Sequence, residues 1–561
     1  MDQEQDAALQ RFLSCLPHIH QIHSICQTPS ITFGVIHSGH VILKKSIGHR
    51  DSGLTLPANE DSMYMIGSCS KMFTTAAVGI LVDEGKLSWT DPIQKHLPEF
   101  NPEGDPRIGR EADIIDCLRH STGLASPTML TVGPRGTVAS NEEDLIPILN
   151  VMPSAHANGE QRFNREWIYN NAVVGLVALI VERITGQRFA DFVRERILEP
   201  LGLNRTAMTR SDVENDGNVA VPCTKLSNGQ FCQLLDISWP CEGHSPLLAG
   251  MGMRSSLNDM LTWCIAVLDA ERSENDPEYQ RSVPNNPLKQ MTRVRRGYWA
   301  RPSDDPEFSK AAAYGMGWFR VELPSSMLGS FSGNSLSQSK EHRLHLQYIL
   351  GKENAAAAPF PTVGHTGGMR GSIFSVYTFP NTQSAVVTAT NGRDLGDASD
   401  FTAQLLIQAL FDLKPLVDLR SWAEKEAELA ATQYREYIER PWEENRRLDD
   451  PERDCMIYVG DYRGFNDRFT LSIAMSDLPS TSLSVVFNHR LASECPLVFY
   501  QTDVYSFFQP DEDYSKMQAI IAKEYKQMLL KFRVDEGGRA DGLWWQWDTE
   551  AEPAWLGKLA K

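Results

Sequence analysis

Met65-Ile66-Gly67-Ser68-Cys69-Ser70-Lys71-Met72-Phe73, followed by Thr74-Thr75-Ala76-Ala77-Val78-Gly79-Ile80-Leu81-Val82, is the stretch from which the rest of the chain is read. From Met72 to Val82 only two threonines interrupt apolar or small residues, the composition of a helix packed on all sides, and Gly85-Lys86 supplies a C-terminal stop. A helix so buried normally excludes lysine. Ser68 and Lys71 stand three apart, so on a helix they share one face. A desolvated ammonium tends to lose its proton, and a neutral amine beside a hydroxyl is a general base beside a nucleophile. The pattern S-x-x-K arises by chance about once or twice in a chain of this size. A second copy, Ser337-Gln338-Ser339-Lys340, serves as the comparison. It follows the Ser/Gly-rich run Gly329 to Ser335 and precedes Glu341 to Leu346, which alternates polar with apolar residues instead of forming a buried helix.

The 561 residues leave room for at least two domains. Lys plus Arg number 54 against 72 Asp plus Glu, and the resulting net charge of -18 argues against nucleic acid or any other polyanion as a partner. The start, Met1-Asp2-Gln3-Glu4-Gln5-Asp6, has neither the basic residues nor the apolar core of a secretory signal, and no run approaches the roughly 20 apolar residues that span a bilayer. The expectation is a soluble, cytoplasmic protein with no membrane partner. The 10 cysteines contain no C-x-x-C pair, the pattern of free buried thiols. His18, His20 and His23 have no accompanying carboxylate or cysteine cluster, so neither a metal nor a cofactor is expected.

Leu9, Phe12, Leu13 and Leu16 predict a short N-terminal helix that ends or kinks at Pro17. Ile31 to Ile36 and His40 to Leu43 flank Ser38-Gly39 as a hairpin. Ile93 to Pro98 and Ile114 to Leu118, with His120-Ser121-Thr122-Gly123-Leu124 after them, read as scaffold. Tyr169-Asn170-Asn171 stands at the mouth of a second buried helix, Ala172 to Ile184, stopped at Gly186. The stretches 270–312 and 322–360 read as surface insertions or flexible lids, with the strand-like Tyr314-Gly315-Met316-Gly317-Trp318 between them. Gly364-His365-Thr366-Gly367-Gly368-Met369-Arg370-Gly371 reads as a glycine-dense turn. Strands Ile373 to Phe379 and Ala385 to Thr390 and an amphipathic helix, Phe401 to Phe411, follow. Leu416 to Arg440 reads as a charged, solvated helical connector ending at Pro441. Short strands from Tyr458 to Trp547 predict a small β-rich, barrel-like domain, with a helix near Met517 to Phe532.

Ser68-x-x-Lys71, Tyr169-x-Asn171 and His365-Thr366-Gly367 occur in one order, and the set resembles the β-lactamase-related serine hydrolases. That group holds class C β-lactamases, D-alanyl-D-alanine carboxypeptidases, D-aminopeptidases, esterases and acyltransferases. Lys86-Leu87 with Asp91-Pro92, His120 to Leu124, Pro200-Leu201-Gly202-Leu203 and Tyr314 to Trp318 add to the resemblance, which covers residues 28–413. It implies an α/β fold, an antiparallel sheet flanked by helices with a helical subdomain. The domains expected are an N-terminal helix (1–27), a catalytic domain (28–413), a helical linker (414–450) and the β-rich domain (451–561).

The resemblance also implies roles. Ser68 attacks a carbonyl, Lys71 and Tyr169 share the removal and return of its proton, and an acyl-enzyme forms. The backbone N–H groups of Ser68 and Gly368 hold the oxyanion, Gly367 and Gly368 allow close approach, and Asn171 orients the substrate. His365 and Thr366 complete the substrate-binding set. His365 stands where the β-lactamases carry lysine, and imidazole holds a substrate carboxylate less firmly, which shifts the reading from penicillins toward peptides and esters. A small-molecule ester or amide is the expected partner. Acyl transfer to a small alcohol or amine shares the same acyl-enzyme, and a non-catalytic binding protein on the same fold is the reading from another class.

Overall fold

A computed structural model describes the chain except residues 1–2, 157, 235–244, 283–285, 302–311, 336–348, 355–359, 393, 477–480, 509, 511–515, 517–521 and 561. The comparison pair Ser337 and Lys340 therefore lies outside the described residues. Packing divides the chain into two compact units, one of residues 1–91, 177–233 and 248–431, the other of 92–176, 234–247 and 432–561. The division follows contacts and not chain order.

In the first unit β1 (Ser30–His37) and β2 (His40–Gly48) form the expected hairpin. With β3 (Trp299–Ala300), β4 (Ala313–Tyr314), β5 (Phe319–Leu323), β6 (Phe360–Met369), β7 (Ser372–Phe379) and β8 (Ser384–Thr390) they make one antiparallel sheet in the order β2-β1-β8-β7-β6-β5-β4-β3. β1, β7 and β8 are buried at every position, as strands covered on both faces must be. Among the helices of this unit are α1 (Gln3–Ile25), α2 (Ser70–Asp83), α4 (Leu257–Asn275) and α5 (Ala398–Phe411), and α3 (Asn171–Thr185) starts in the second unit and ends in the first. Gly34 pairs with Val387, and a Cβ on Gly34 would stand 2.9 Å from Leu261 of α4. Thr388, the next residue and so on the opposite face, bonds the Ser399 hydroxyl of α5 at 2.7 Å.

Several expectations are corrected here. α1 runs unbroken through Pro17: Ala8, Phe12, Cys15, Ile19 and Ile22 form the buried stripe, and the proline sits on the exposed face, where packing of the stripe offsets its missing N–H. The glycine-dense stretch around His365 is no turn either: Gly364 to Met369 continue β6. α5 begins at Ala398 and is buried nearly all round instead of amphipathic. The described parts of 270–312 and 322–360 are packed, with Leu288, Met291, Val294, Leu328 and Leu350 all buried.

α5 starts on two buried carboxylates. Asp397 accepts the backbone N–H of Asp400 (2.9 Å) and the Ser332 hydroxyl (3.0 Å), while Asp400 accepts from Tyr377 (3.2 Å), Gln404 (3.0 Å) and Asn334 (3.3 Å). Burial first and Asp397 second push the Asp400 carboxyl from its ordinary 3.8 up to about 7. A carboxyl raised in the native state binds its proton more tightly folded than unfolded. Its contribution to stability is therefore complete at acid pH and is lost as pH rises through about 4 to 7. Asp400→Asn is expected to flatten that part of a Tm-against-pH series.

The second unit joins residues 92–176 to a closed antiparallel barrel. Its strands are β9 (Gly460–Gly464), β10 (Phe469–Met475), β11 (Leu483–Phe487), β12 (Arg490–Gln501), β13 (Val504–Ser506), β14 (Leu529–Val534), β15 (Ala540–Trp545) and β16 (Ala554–Lys558), with Tyr462 opposite Lys558 closing the ring. Tyr462, Phe469, Phe487, Phe532 and Trp545 are buried, and their rings contact one another within the barrel. The expected helix near 517–532 is corrected: Tyr525–Met528 is a 3-10 turn and Leu529 begins β14, while 517–521 lie outside the described residues. The connector helix likewise continues past Pro441 to Glu444, because a π-helical turn, Arg435–Glu439, precedes the proline and places it in the first turn of a new helical segment. The β11–β12 turn, Asn488-His489, has both residues at positive φ, and Asn488 Nδ2 donates to the Ala139 carbonyl at 2.7 Å.

Candidate active site

Ser68 lies in a 3-10 turn, Gly67–Cys69, that feeds directly into α2. The Ser70 hydroxyl locks this turn, donating to the Gly67 carbonyl at 2.7 Å and accepting the Met253 N–H at 3.1 Å. From Ser70 to Leu81 every side chain of α2 is buried, and Phe73 stacks on Trp263 with centroids 4.0 Å apart. Lys71 is fully buried, whereas Ser68 is partly exposed. Lys71 Nζ lies 3.2 Å from Ser68 Oγ and donates to the Gly250 carbonyl at 2.7 Å. Burial pushes the Lys71 ammonium well below its ordinary 10.5. The amine is thereby tied by one N–H to Gly250 and adjacent to a hydroxyl that solvent can reach.

β6 packs its backbone against that turn. A Cβ on Gly367 would stand 1.8 Å from the Ile66 carbonyl oxygen and 2.8 Å from Ser68 N, and one on Gly67, at φ +49, would stand 3.0 Å from Gly368 N. Only glycine fits either position. β5 pairs with β6 up to Gly364, and from His365 to Met369 the strand pairs with β7 alone among the described residues. Gly368 is exposed on this segment.

His365, expected among the substrate-binding residues, is placed with its ring 1% exposed. Nδ1 meets the Thr366 carbonyl at 2.5 Å and Nε2 meets the Tyr314 hydroxyl at 2.9 Å. Burial, with Lys71 second, pushes its pKa down to about 3. Thr366 is also buried, its hydroxyl donating to the Phe331 carbonyl at 2.7 Å. The stretch Tyr314 to Trp318 supports Lys71 as well, since Gly317, at φ +70, would bring a Cβ within 3.0 Å of the Lys71 Cβ.

Tyr169 and Asn171 belong to the second unit, at the start of α3. Asn170 caps that helix: its Oδ1 accepts Ala172 N at 3.0 Å, and its Nδ2 donates to the Leu124 and Ala125 carbonyls at 3.3 and 3.2 Å. The Tyr169 ring packs 4.3 Å from His120 and 5.7 Å from Trp167. The motif His120 to Leu124 therefore holds up the Tyr169 turn, and Gly123, at φ +76, is required because a Cβ would stand 2.5 Å from Phe163 N. Tyr169 and Asn171 are both partly exposed.

Sequence reasoning missed Gly250, Tyr314, Phe331 and Asn170 as parts of these arrangements. Tyr314 falls within a supporting motif, and that motif is its signal; a backbone carbonyl such as that of Gly250 leaves none. Among the described residues no group of three or more His, Cys, Asp or Glu is gathered to hold a metal, and no helix is long and apolar enough to cross a membrane.

With this geometry in hand, comparison with known proteins defines the class. The chain belongs to the Beta-lactamase family, whose sequence profile matches residues 17–410. Penicillin-binding protein 4* of Bacillus subtilis (strain 168) is 25% identical over 208 residues, 37% of this chain and 42% of its own length. Protein flp of Staphylococcus aureus (strain MW2) is 25% identical over 188 residues, 33% of this chain and 36% of its own. The matches thus span less than half the length of these curated relatives. The structure of the octameric penicillin-binding protein homologue from Pyrococcus abyssi covers 96% of this chain and 98% of its own, at a TM-score of 0.53 and 18% identity, a likeness of fold.

Proposed function

We propose that the protein cleaves an ester or amide bond through an acyl-enzyme on Ser68. The observation that carries this reading is the buried Lys71 amine 3.2 Å from a solvent-reachable Ser68 hydroxyl, at the head of a helix that β6 abuts through glycine. Lys71 takes the hydroxyl proton as Ser68 Oγ bonds the carbonyl carbon, and Tyr169 shares in passing that proton to the leaving group. The N–H groups of Ser68 and Gly368 receive the oxyanion, and Asn171 orients the acyl donor. Water then attacks the acyl-enzyme, with the same base returning the proton.

The substrate is a small-molecule ester or amide. An aryl fluorophosphonate is expected to add once to the native protein, and peptide mapping to place the adduct on Ser68. An adduct on any other residue, or none, would sink the assignment. A panel of p-nitrophenyl esters, D-amino acid amides and a chromogenic cephalosporin then separates the substrate classes.

A further inference from the structure

The histidine of the third motif has both ring nitrogens engaged inside the fold. A carbonyl oxygen only accepts, so the 2.5 Å contact with the Thr366 carbonyl puts the proton on Nδ1 and leaves Nε2 to accept the Tyr314 hydroxyl. Around the ring stand Tyr314, Phe331 and Phe319, with centroids at 5.8, 5.7 and 6.3 Å. Phe331 is the partly exposed member of this wall. It stacks on Phe319 at 5.2 Å, at the point where β5 stops pairing with β6, and its carbonyl is tied to β6 by Thr366. Behind it, Ser332 and Asn334 are bonded to Asp397 and Asp400, which ties down the chain just after Phe331. Beside His365 and Thr366 the protein therefore presents an aromatic ring. The imidazole behind that ring stays neutral, since burial and Lys71 hold it down to about 3. The Arg301 guanidinium stacks on Phe331 at 4.5 Å and is the cation nearest this wall among the described contacts.

Resting on the reading of Ser68 as the acylated nucleophile, we infer that the site selects esters or amides whose leaving side carries no carboxylate and is apolar enough to lie on Phe331. His365 is then a positioning residue for Tyr314 and not a substrate ligand. A carboxylate placed against Phe331 would lose its hydration and gain no donor from His365.

Two methylphosphonate aryl esters test this, the m-carbamoylphenyl and the m-carboxyphenyl compound, alike in shape and different in charge. In each, a Ser68 Oγ–P bond forms, the P–O(aryl) bond breaks, the phenolate leaves and the serine proton passes to Lys71. Labelling of the full chain is followed by intact mass and corrected for each ester's spontaneous hydrolysis. The carbamoyl compound is expected to label at least ten-fold faster, with that ratio unchanged in His365→Gln and reduced toward one in Phe331→Ala. Equal or faster labelling by the carboxyphenyl ester overturns the inference, as does a change of more than three-fold in the ratio for His365→Gln. A carboxyphenyl preference that Arg301→Met removes also overturns it, and assigns the anion to Arg301. If neither compound labels Ser68, the hydrolase reading falls and this inference with it, whereas a Ser68 adduct with the wrong preference removes the inference alone.

Discussion

Ser68→Ala is expected to abolish turnover and covalent labelling, a loss of roughly 10⁴-fold or more, and Lys71→Ala to lower acylation by roughly 10³-fold, because nucleophile and base act as a unit. Lys71→Arg restores nothing, since a guanidinium does not release its proton. The pH profile carries the mechanism. Burial holds the Lys71 amine well below 10.5, so acylation rises as that depressed group deprotonates and reaches its plateau far below the pH at which a free lysine titrates. Stopped-flow acylation from pH 5 to 10 reads this directly; a flat profile, or a midpoint at 10.5, removes Lys71 from the role. The same burial opposes folding. The unfolded amine binds a proton that the native one releases, so stability rises with pH between the depressed value and about 10.5. Lys71→Met should therefore raise Tm at neutral pH while leaving the protein inactive, which separates loss of chemistry from loss of fold.

Gly367→Ala is expected to cost at least a hundred-fold in acylation rate. Its Cβ would stand 1.8 Å from the Ile66 carbonyl oxygen and 2.8 Å from Ser68 N, both backbone atoms, so no side-chain rotation relieves the clash. β6 and the Ser68 turn have to separate, and the N–H groups at 68 and 368 lose their common target. Overpacking of this kind destabilises by about 1–3 kcal/mol, a modest fall in Tm beside a large fall in rate. Gly364→Ala is the control: its Cβ would strike the Val376 carbonyl within the sheet at 2.1 Å, and it should lower Tm without that selective effect on acylation.

What the sequence disclosed tracks the kind of interaction involved. α2 is legible because burial on all sides writes itself as an uninterrupted apolar run, in which one lysine stands out. The end of β6 reads as a turn because glycine density, the usual mark of a turn, there records the approach of another backbone, an encounter with Ile66 some 300 residues away in the chain. β14 starts inside the expected helix, at Leu529, although Leu530 and Phe532 are buried and Lys531 and Arg533 exposed, the alternation of a half-buried strand. Tyr314 gains meaning only through its bond to His365, and Asn170 through carbonyls at 124 and 125; neither partner is near in sequence. Serine and lysine three apart are local and can be read, whereas contacts that position them are not.

The interleaving of each unit along the chain bears on how the protein is made. Ile31 of β1 pairs with Thr390 of β8, and Ala139 meets Asn488, 349 residues later. At translation speeds of about 5–20 residues per second, each early segment waits on the order of 20–70 s for its partner to leave the ribosome. During that interval β1, apolar along most of its length, has one edge open to any strand that passes, an exposure that pairing with β8 ends in the finished fold.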